Sequence, residues 1–411
     1  MKKKIIYTLF AVVFVSTQTS MAEEVNETGM DYRRNSLYSL MVNHTDQKYA
    51  NEIKNAFLDI ETSDKFNDHD LSVKVVNINK KIKDSNSDEE SQMITDFLNT
   101  NNVGSRLVAR WFNRNTKTGE CDVELVKERG LYNASEFDRA MAARSQRAQA
   151  LLEDAGENLI GNTFVLVNDI RYIDKSRASQ VAAGAVRVLG ALAKQFTGVD
   201  VSSIANSVGN MVETIKGFKV KINTYLYQLE WDEETAVKFY QDHFSSVPDE
   251  AKKQAFENER GTYKLKFVSR VESKGNATSF MGIKESEPQV MVLKACNRAI
   301  DENIADLQSE VEAFRVKVPL SNANPIQAPI GMKEGVSRTS QFEVLEESED
   351  PETGKHIFKR IGVIAPVSNL IWDNRFMAVE EGAPNATLGA TTFKKVSGSE
   401  FFPGMLIREI K

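Results

Sequence analysis

The sequence predicts an α+β fold: a mixed α/β N-terminal and central region with an inserted helical pair, then a small C-terminal β-barrel. Helical and strand-like patterns both occur between residues 93 and 320, whereas residues 325–411 carry only strand patterns. The composition, with 41% hydrophobic and 27% charged residues, is typical of a folded soluble protein. At 411 residues the chain has room for two or three domains.

The N-terminus has the pattern of a secretory signal peptide over residues 1–22. Three lysines precede an apolar run at residues 5–15, and small residues before Glu23 predict cleavage between Ala22 and Glu23. The run is too short for a membrane-spanning helix, which needs about 18 apolar residues. Because residues 1–22 hold three lysines and no acidic residue, cleavage changes the formal charge from −6 to −9. We therefore expect an exported protein of the periplasm or outer membrane.

Residues 23–92 are predicted to form an N-terminal segment that ends in a linker. Residues 71–76 alternate like a strand, and residues 77–92 are rich in Lys, Asp, Ser and Asn, as exposed linkers are. The acidic cluster at residues 64–70 offers oxygen ligands for calcium. It lacks the glycine and final glutamate of an EF-hand loop, so a solvated turn is favoured.

A central α+β domain is predicted over residues 93–320. Residues 107–112 and 121–126 are both strand-like and are separated by turn residues, which favours a hairpin. Residues 134–159 then change to the helical period, with apolar residues on one side and Arg and Glu on the other. The domain therefore begins with a hairpin and a helix.

Two long strands form the predicted centre of this domain, at residues 163–173 and 218–231, and we expect them to pair. Between them, residues 176–215 are rich in Ala, Gly, Val and Ser with helical spacing, which predicts two inserted helices. Small residues let helices approach closely. The helical pair could therefore pack within the subunit, form an oligomer or partner interface, or make peripheral contact with a membrane.

The later elements alternate between helix and strand. A Pro-containing stretch at residues 321–329 is interpreted as the boundary before a β domain at residues 325–411. The elements predicted before that boundary are helices at 232–244 and 248–258, a strand at 263–271, a helix at 289–311 and a strand at 314–318. The strands predicted after it are at 340–346, 357–364, 374–379, 391–395 and 405–410.

Most chemical motifs are absent from the sequence. It contains no phosphate-binding loop, dinucleotide-binding glycine motif, zinc-protease motif, C-x-x-C pair or nucleophile elbow. With 52 basic and 58 acidic residues, the charge balance argues against nucleic-acid binding. The acidic run at residues 343–352 overlaps DPETG at 350–354, a turn sequence between two strands, which favours a hairpin over a metal site. We predict no catalytic, cofactor-binding or metal-binding residue. The four histidines are scattered: His44, His69, His243 and His356.

The two cysteines, Cys121 and Cys296, form a candidate disulfide. An even number of cysteines in an exported chain is compatible with one bridge. Cys296, however, lies in a helical pattern beside Val292 and Ile300, where it would serve as a small buried apolar residue. The spacing alone leaves both interpretations open.

Two parts of the chain resemble known families. The C-terminal region, through residues 340–345, the DPETG at 350–354 and residues 360–364, is similar to the SH3-like module of envelope proteins such as the flagellar assembly protein T family. That resemblance implies an SH3-like barrel and no site residues. The rest of the chain resembles a set of uncharacterised secreted proteins of Gram-negative anaerobes, which implies export and no assigned activity. The blocks that carry this second resemblance are residues 108–113, 128–135, 154–157, 163–169 and 225–231.

The leading functional hypothesis is a nonenzymatic envelope protein that binds other envelope proteins or self-associates. Export, the missing catalytic motifs and the small-residue helical pair favour it. The alternative is a periplasmic enzyme or solute-binding protein that acts on a cell-envelope or extracellular polymer, with carboxylates from separate strands as acid and base. A deep cleft with paired carboxylates would favour the alternative.

Overall fold

The structure, a computed structural model, describes residues 35–78, 87–133, 159–173, 217–278, 288–349 and 356–410. These residues form two β-sheets with helices on the first, so the α+β class is confirmed. The predicted helix at 134–159 and the helical pair at 176–215 lie outside the described residues, apart from Leu159. The cleavage site at Ala22 and Glu23 lies outside them too.

The first sheet has six strands in the order β2-β1-β4-β5-β6, with β3 also paired to β1. β1 runs parallel to β2, β3 and β4, whereas β5 and β6 are antiparallel to their neighbours. The strands are β1 Ser36–Val42, β2 Asn67–Asp68, β3 Val75–Val76, β4 Thr163–Tyr172, β5 Gly217–Leu229 and β6 Leu265–Thr278.

Seven α-helices accompany this sheet in the described ranges. The helix predicted at 232–244 begins as expected, with the Asp232 side chain accepting from Thr235 N, whereas the helix predicted from residue 248 begins at Glu250, where the Asp249 side chain accepts from Lys252 N. A π-helical turn, Phe239–His243, continues the first of these. The helices are α1 Ala50–Leu58, α2 Ser87–Thr100, α3 Val103–Trp111, α4 Glu124–Asn133, α5 Glu233–Lys238, α6 Glu250–Asn258 and α7 Pro288–Glu310.

The central strand β4 is buried on both faces. Val165 and Val167 join the core beneath α2 and α3, whereas Phe164 and Leu166 join a core on the opposite face, where α7 packs. Side chains alternate between the faces of a sheet, so a strand covered on both sides is a continuous apolar run. The prediction of this strand and of its pairing with β5 is confirmed.

The helix α7 packs closely on the second face of the sheet. Cys296 and Ala299 are buried there, and Gly275 of β6 leaves room for the helix backbone. A Cβ built on Gly275 would lie 2.0 Å from the Ala295 carbonyl oxygen. A glycine is therefore required where strand and helix meet.

A line of buried polar side chains ties α7 to the middle of the sheet. Asn303 of α7 donates to Thr224 Oγ1 of β5 at 2.7 Å, and Thr224 donates to Asn168 Oδ1 of β4 at 2.8 Å. Asn168 then donates to Ser39 Oγ and to the Leu40 carbonyl of β1, both at 3.1 Å. These bonds fix the register of three strands relative to the helix, since unpaired polar groups would be costly in this core.

The second sheet has seven antiparallel strands in the order β7-β13-β10-β11-β12-β9-β8 and curls into a half-barrel. It has its own apolar core, which includes Phe342, Ile364 and Phe393. The strands are β7 Val318–Pro319, β8 Asn322–Ala323, β9 Ile326–Ala328, β10 Gln341–Glu349, β11 His356–Pro366, β12 Thr391–Gly398 and β13 Leu406–Ile410. Four of the five strands predicted after residue 340 are thereby confirmed.

The side of α7 that faces away from the first sheet contacts the half-barrel region. Arg298 donates to the Phe376 carbonyl oxygen at 2.7 and 3.0 Å and to Glu381 Oε2 at 2.7 Å, and Lys294 also pairs with Glu381. One turn further along α7, Asp301 Oδ1 lies 3.9 Å from Lys333 Nζ of the 3-10 turn Met332–Glu334. Spacings of three and four residues place these side chains on one stripe of the helix.

The hairpin predicted at residues 107–112 and 121–126 is wrong. Residues 103–111 form α3, with Leu107, Val108 and Trp111 fully buried at helical spacing. The Trp111 indole N–H also donates to Thr163 Oγ1 at 2.8 Å, which attaches the helix to β4. Short apolar runs fit a strand or a buried helix equally well, and the turn residues after α3 connect it to α4 instead of to a second strand.

Three smaller predictions also need correction. The linker predicted to reach residue 92 stops earlier, because α2 begins at Ser87. The stretch 321–329, interpreted as a domain boundary, forms β8 and β9 within the half-barrel sheet. The strand predicted at 374–379 is a series of turns. Polar composition suggested linkers in the first two cases, but tertiary contacts order these residues.

The close approach at Gly275 can be tested by substitution. Gly275→Ala should destabilise the protein by about 2 kcal/mol, because the new methyl group must displace the α7 backbone. Gly261→Ala is the matched control, since a Cβ there would meet nothing within 4 Å. Urea unfolding of both variants measures the difference. Equal midpoints for the two would contradict a close contact between β6 and α7.

Candidate functional site: a buried carboxyl pair

The candidate site lies on the face of the first sheet that α2 covers, towards the carboxyl end of β4. β1 and β4 are parallel, so their carboxyl ends lie at the same edge of the sheet. Ligand sites of open α/β sheets commonly lie at such edges. Two acidic side chains meet near this edge: Asp169 from β4 and Glu90 from the first turn of α2.

Asp169 is paired despite being 1% exposed. Arg171 Nε donates to its two carboxylate oxygens at 2.9 and 3.2 Å, and His44, just after β1, contacts Oδ1 through Nε2. Burial by itself would raise the pKa of Asp169. The hydrogen bond from His44 and the positive charge of Arg171 outweigh burial and hold that pKa below its ordinary value.

Glu90 is in a different electrostatic state. It is 4% exposed, and burial, reinforced by the negative charge of Asp169, raises its pKa to about 7. The Tyr225 hydroxyl and Arg171 oppose this shift without cancelling it. The two neighbouring carboxyl groups therefore respond to pH differently: Asp169 is ionised at neutral pH, whereas Glu90, with a pKa of about 7, gains its proton as the pH falls below neutral.

The strand β5 also contributes side chains to this site. Asn223 pairs with Asp169 across the sheet, and Tyr225 follows on the same face. Asn223 is 4% exposed. Among the described residues of this site, Glu90 Oε1, Asn223 Oδ1 and the Tyr225 hydroxyl have no hydrogen-bond partner. Buried oxygens of this kind favour a proton donor beside them.

An open cavity lies at the same edge of the sheet, in the loop between β1 and α1. Its volume is about 360 Å³ and its lining is largely polar. Gln47 fixes the loop by continuing the ladder of β4: its amide donates to the Ile170 carbonyl at 3.0 Å and accepts from Tyr172 N at 2.9 Å. Tyr49, which begins α1 in a left-handed conformation, packs edge-on against the Tyr172 ring.

The candidate disulfide does not form in this structure, where both cysteines are free and buried. Cys121 lies in the core beneath α2 and α3, and Cys296 lies in the core on the other face, so the sheet separates them. Burial raises the pKa of the Cys296 thiol to about 12. The alternative interpretation, a small buried apolar residue, describes Cys296 in this fold.

The acidic cluster at residues 64–70 forms a turn whose polar groups bind one another. Asp64 pairs with Lys65 at 2.9 Å, and Thr62 donates to Asp68 at 3.2 Å. His69 points inward and binds the Leu107 carbonyl. In the part of the chain that the structure describes, no group of three or more His, Cys, Asp or Glu residues could hold a metal ion.

Neither Glu90 nor Asp169 is among the site residues expected from the sequence. Asp169 had a usable signal, because a charged residue inside a buried strand needs a partner. No such signal in the sequence marks Glu90, because it lies among acidic residues in a stretch interpreted as a linker. The contact between the two residues follows only from the packing of α2 on the sheet.

Two comparisons with known proteins found no match. No protein-family model matches the chain. No curated protein matches it at a significant level. In the described ranges, none of the helices has the length and apolar character needed to cross a membrane.

The pairing of Asp169 can be tested by Asp169→Asn, which leaves Arg171 and His44 without their carboxylate. We expect a loss of about 3 kcal/mol in the free energy of unfolding at pH 7, measured by urea titration. The folded-state pKa of Asp169 is lowered, so its contribution is present at neutral pH and is lost as the pH falls through that pKa. The difference between wild type and variant should therefore shrink in acid.

The control for this test is Asp46→Asn, in the exposed part of the loop after β1. It removes the same charge without removing a buried partner and should change stability by less than about 0.5 kcal/mol. Equal losses in the two variants would contradict the role given to Asp169.

Proposed function

We propose that the chain is an exported cell-envelope protein that binds other proteins or associates with itself, and that it does not act as an enzyme. The signal-peptide pattern of residues 1–22 supports export. The observation that carries the binding role is an open strand edge in the half-barrel.

The open edge belongs to β12 and follows from its hydrogen-bond pattern. Thr392 directs its N–H and C=O towards the β11 side, where they bond Leu370 O and Val367 N at 3.0 and 2.9 Å. Backbone N–H and C=O groups alternate in direction along a strand, so those of Phe393 point towards the β9 side. Those of Lys395, two residues further on, point the same way. Pairing with β9 ends at Phe393, so no described residue of β9 reaches the backbone of Lys395.

The surroundings of this edge suit contact with another polypeptide. Lys394 to Gly398 are all exposed, and Val396 among them exposes 54% of its surface. An extended segment can add to such an edge through main-chain hydrogen bonds, with side-chain contacts that give specificity. The lysines also protect the edge from indiscriminate pairing.

The buried carboxyl pair supports a nonenzymatic role. An acid and a base that cleave a polymer must reach the substrate, and glycoside hydrolysis needs two carboxyl groups on either side of the bond. Glu90 and Asp169 are 4% and 1% exposed, so a polymer does not reach them in this conformation. The pair fits a structural or proton-binding role better than acid–base catalysis.

The half-barrel is also proposed to be SH3-like. The resemblance of residues 340–364 to envelope modules of that class supports this finer assignment, as does the antiparallel order of β10 to β13. Such small barrels commonly present strand edges and loops to partners, which agrees with the binding role.

A solute-binding role is the second candidate. The observation in its favour is the polar cavity of about 360 Å³ at the carboxyl end of the parallel strands. Small-molecule pockets usually have volumes of about 300–1,000 Å³ but are mostly apolar. Because this cavity is open and its lining is polar, we rank the solute-binding role below the protein-binding role.

The binding role is tested by crosslinking in intact cells of the source organism, followed by the native mass of the mature protein with and without detergent. We expect a crosslinked partner or a mass above that of one chain. A chain without residues 1–22 is the control, since it would lack access to envelope partners. A uniform monomer without crosslinks would contradict the proposed function.

The role of the β12 edge is tested with Lys395→Pro. Proline removes the outward N–H and leaves the bonds to β11 in place, so we expect the crosslinked species to decrease about tenfold while the fold is kept. Lys395→Ala is the matched control, because it removes the side chain and keeps the N–H. Equal crosslinking by both variants would exclude this edge as the contact, without excluding a partner elsewhere.

A further inference from the structure

The first turns of α2 are attached to the sheet by few polar contacts. Tyr227 of β5 donates to the Ser91 carbonyl at 2.8 Å, and Glu90 lies against Asp169 and Tyr225. The later turns are held more firmly. Ile94 and Leu98 are fully buried there, and the Asn99 amide bonds both backbone groups of Leu265 at the edge of β6.

Charged and titratable groups face Glu90 from each strand beneath it. Asp169 and Arg171 come from β4, and Tyr225 comes from β5, with Arg270 of β6 beside the Tyr225 hydroxyl. From the loop after β1, His44 reaches the same cluster through its contact with Asp169. Arg171 is bound to Asp169 through two hydrogen bonds, so its positive charge is already paired with the other carboxylate.

The geometry disfavours an ionised Glu90 in this part of the core. As a neutral acid it can donate its proton to the Asp169 carboxylate beside it. As a carboxylate it would place a second negative charge beside Asp169 at 4% exposure. Two adjacent carboxylates are costly in such a buried place, and moving the first turn of α2 into water relieves that cost.

We propose that Glu90 is the proton-binding group of a pH-sensitive latch, which holds the first turns of α2 on the sheet when protonated and releases them when ionised. The fixed part of α2, from Ile94 onward, remains docked in both states. Release uncovers the face of the sheet that carries Asp169, Tyr225 and Tyr227. This inference concerns the fold itself and is independent of the proposed binding role.

The direction of the pH effect follows from the raised pKa of Glu90, about 7 in the docked state. Docking is strongest below the ordinary pKa of a glutamate and weakens as the pH rises towards 7. Above that pH the opening equilibrium becomes constant again, because Glu90 is then ionised in both states. The latch is thus closed in mild acid and loosened at neutral and alkaline pH.

The test is hydrogen exchange of the wild-type protein between pH 5 and pH 8, divided by the intrinsic exchange rate at each pH. We expect opening of residues 90–93 to increase by roughly tenfold to a hundredfold over this range, while α3 stays constant. Glu90→Gln keeps a neutral, hydrogen-bonding side chain and should remove the pH dependence. Glu89→Gln, an exposed neighbour on the same turn, should retain it.

Two results would overturn the proposal. The first is a pH dependence in Glu90→Gln equal to that of wild type, which would assign the titration to another group. The second uses the wild-type protein alone and stays informative if the variant does not fold. It is opening of residues 90–93 that does not change with pH relative to α3.

Discussion

The burial of α7 on two sides is the constraint on which the rest of the structure depends. One side of the helix packs so closely on β6 that only Gly275 fits, and Asn303 links it to the polar line through the sheet. The other side binds the half-barrel region through Arg298 and Glu381. Because one rigid helix carries both contacts, its position determines how the sheet and the half-barrel region meet.

The first sheet combines two kinds of buried polar group with different consequences. On the α7 face, neutral side chains such as Thr224 and Asn168 satisfy one another, which fixes register without introducing charge. On the α2 face, Asp169 has its partners and Glu90 shares their surroundings without a counterion of its own. The neutral hydrogen bonds on the α7 face stabilise the fold at any moderate pH. The carboxyl pair on the α2 face makes the docking of the first turn of α2 depend on pH.

Much of the fold could be predicted where one physical signal dominated. The strand at 163–173 was identifiable because burial on both faces leaves a long apolar run, and α7 because 23 residues keep one helical period. Residues 107–112 were mispredicted because six residues are too few to separate the two periods. The candidate site was missed because Glu90 and Asp169 are far apart in sequence and only the docking of α2 joins them.

The sequence by itself determined the α+β class, the export pattern of residues 1–22, the pairing of β4 with β5 and four strands of the half-barrel, β10 to β13. Those features follow from local periodicity and composition, which a single sequence contains. Tertiary structure alone decided that Cys121 and Cys296 lie on opposite faces of a sheet, that burial raises the pKa of Glu90, and that the pairing of β12 with β9 ends at Phe393. Each of these depends on distances between segments that are remote in sequence. The hydrophobic periodicity of a single sequence does not encode such distances.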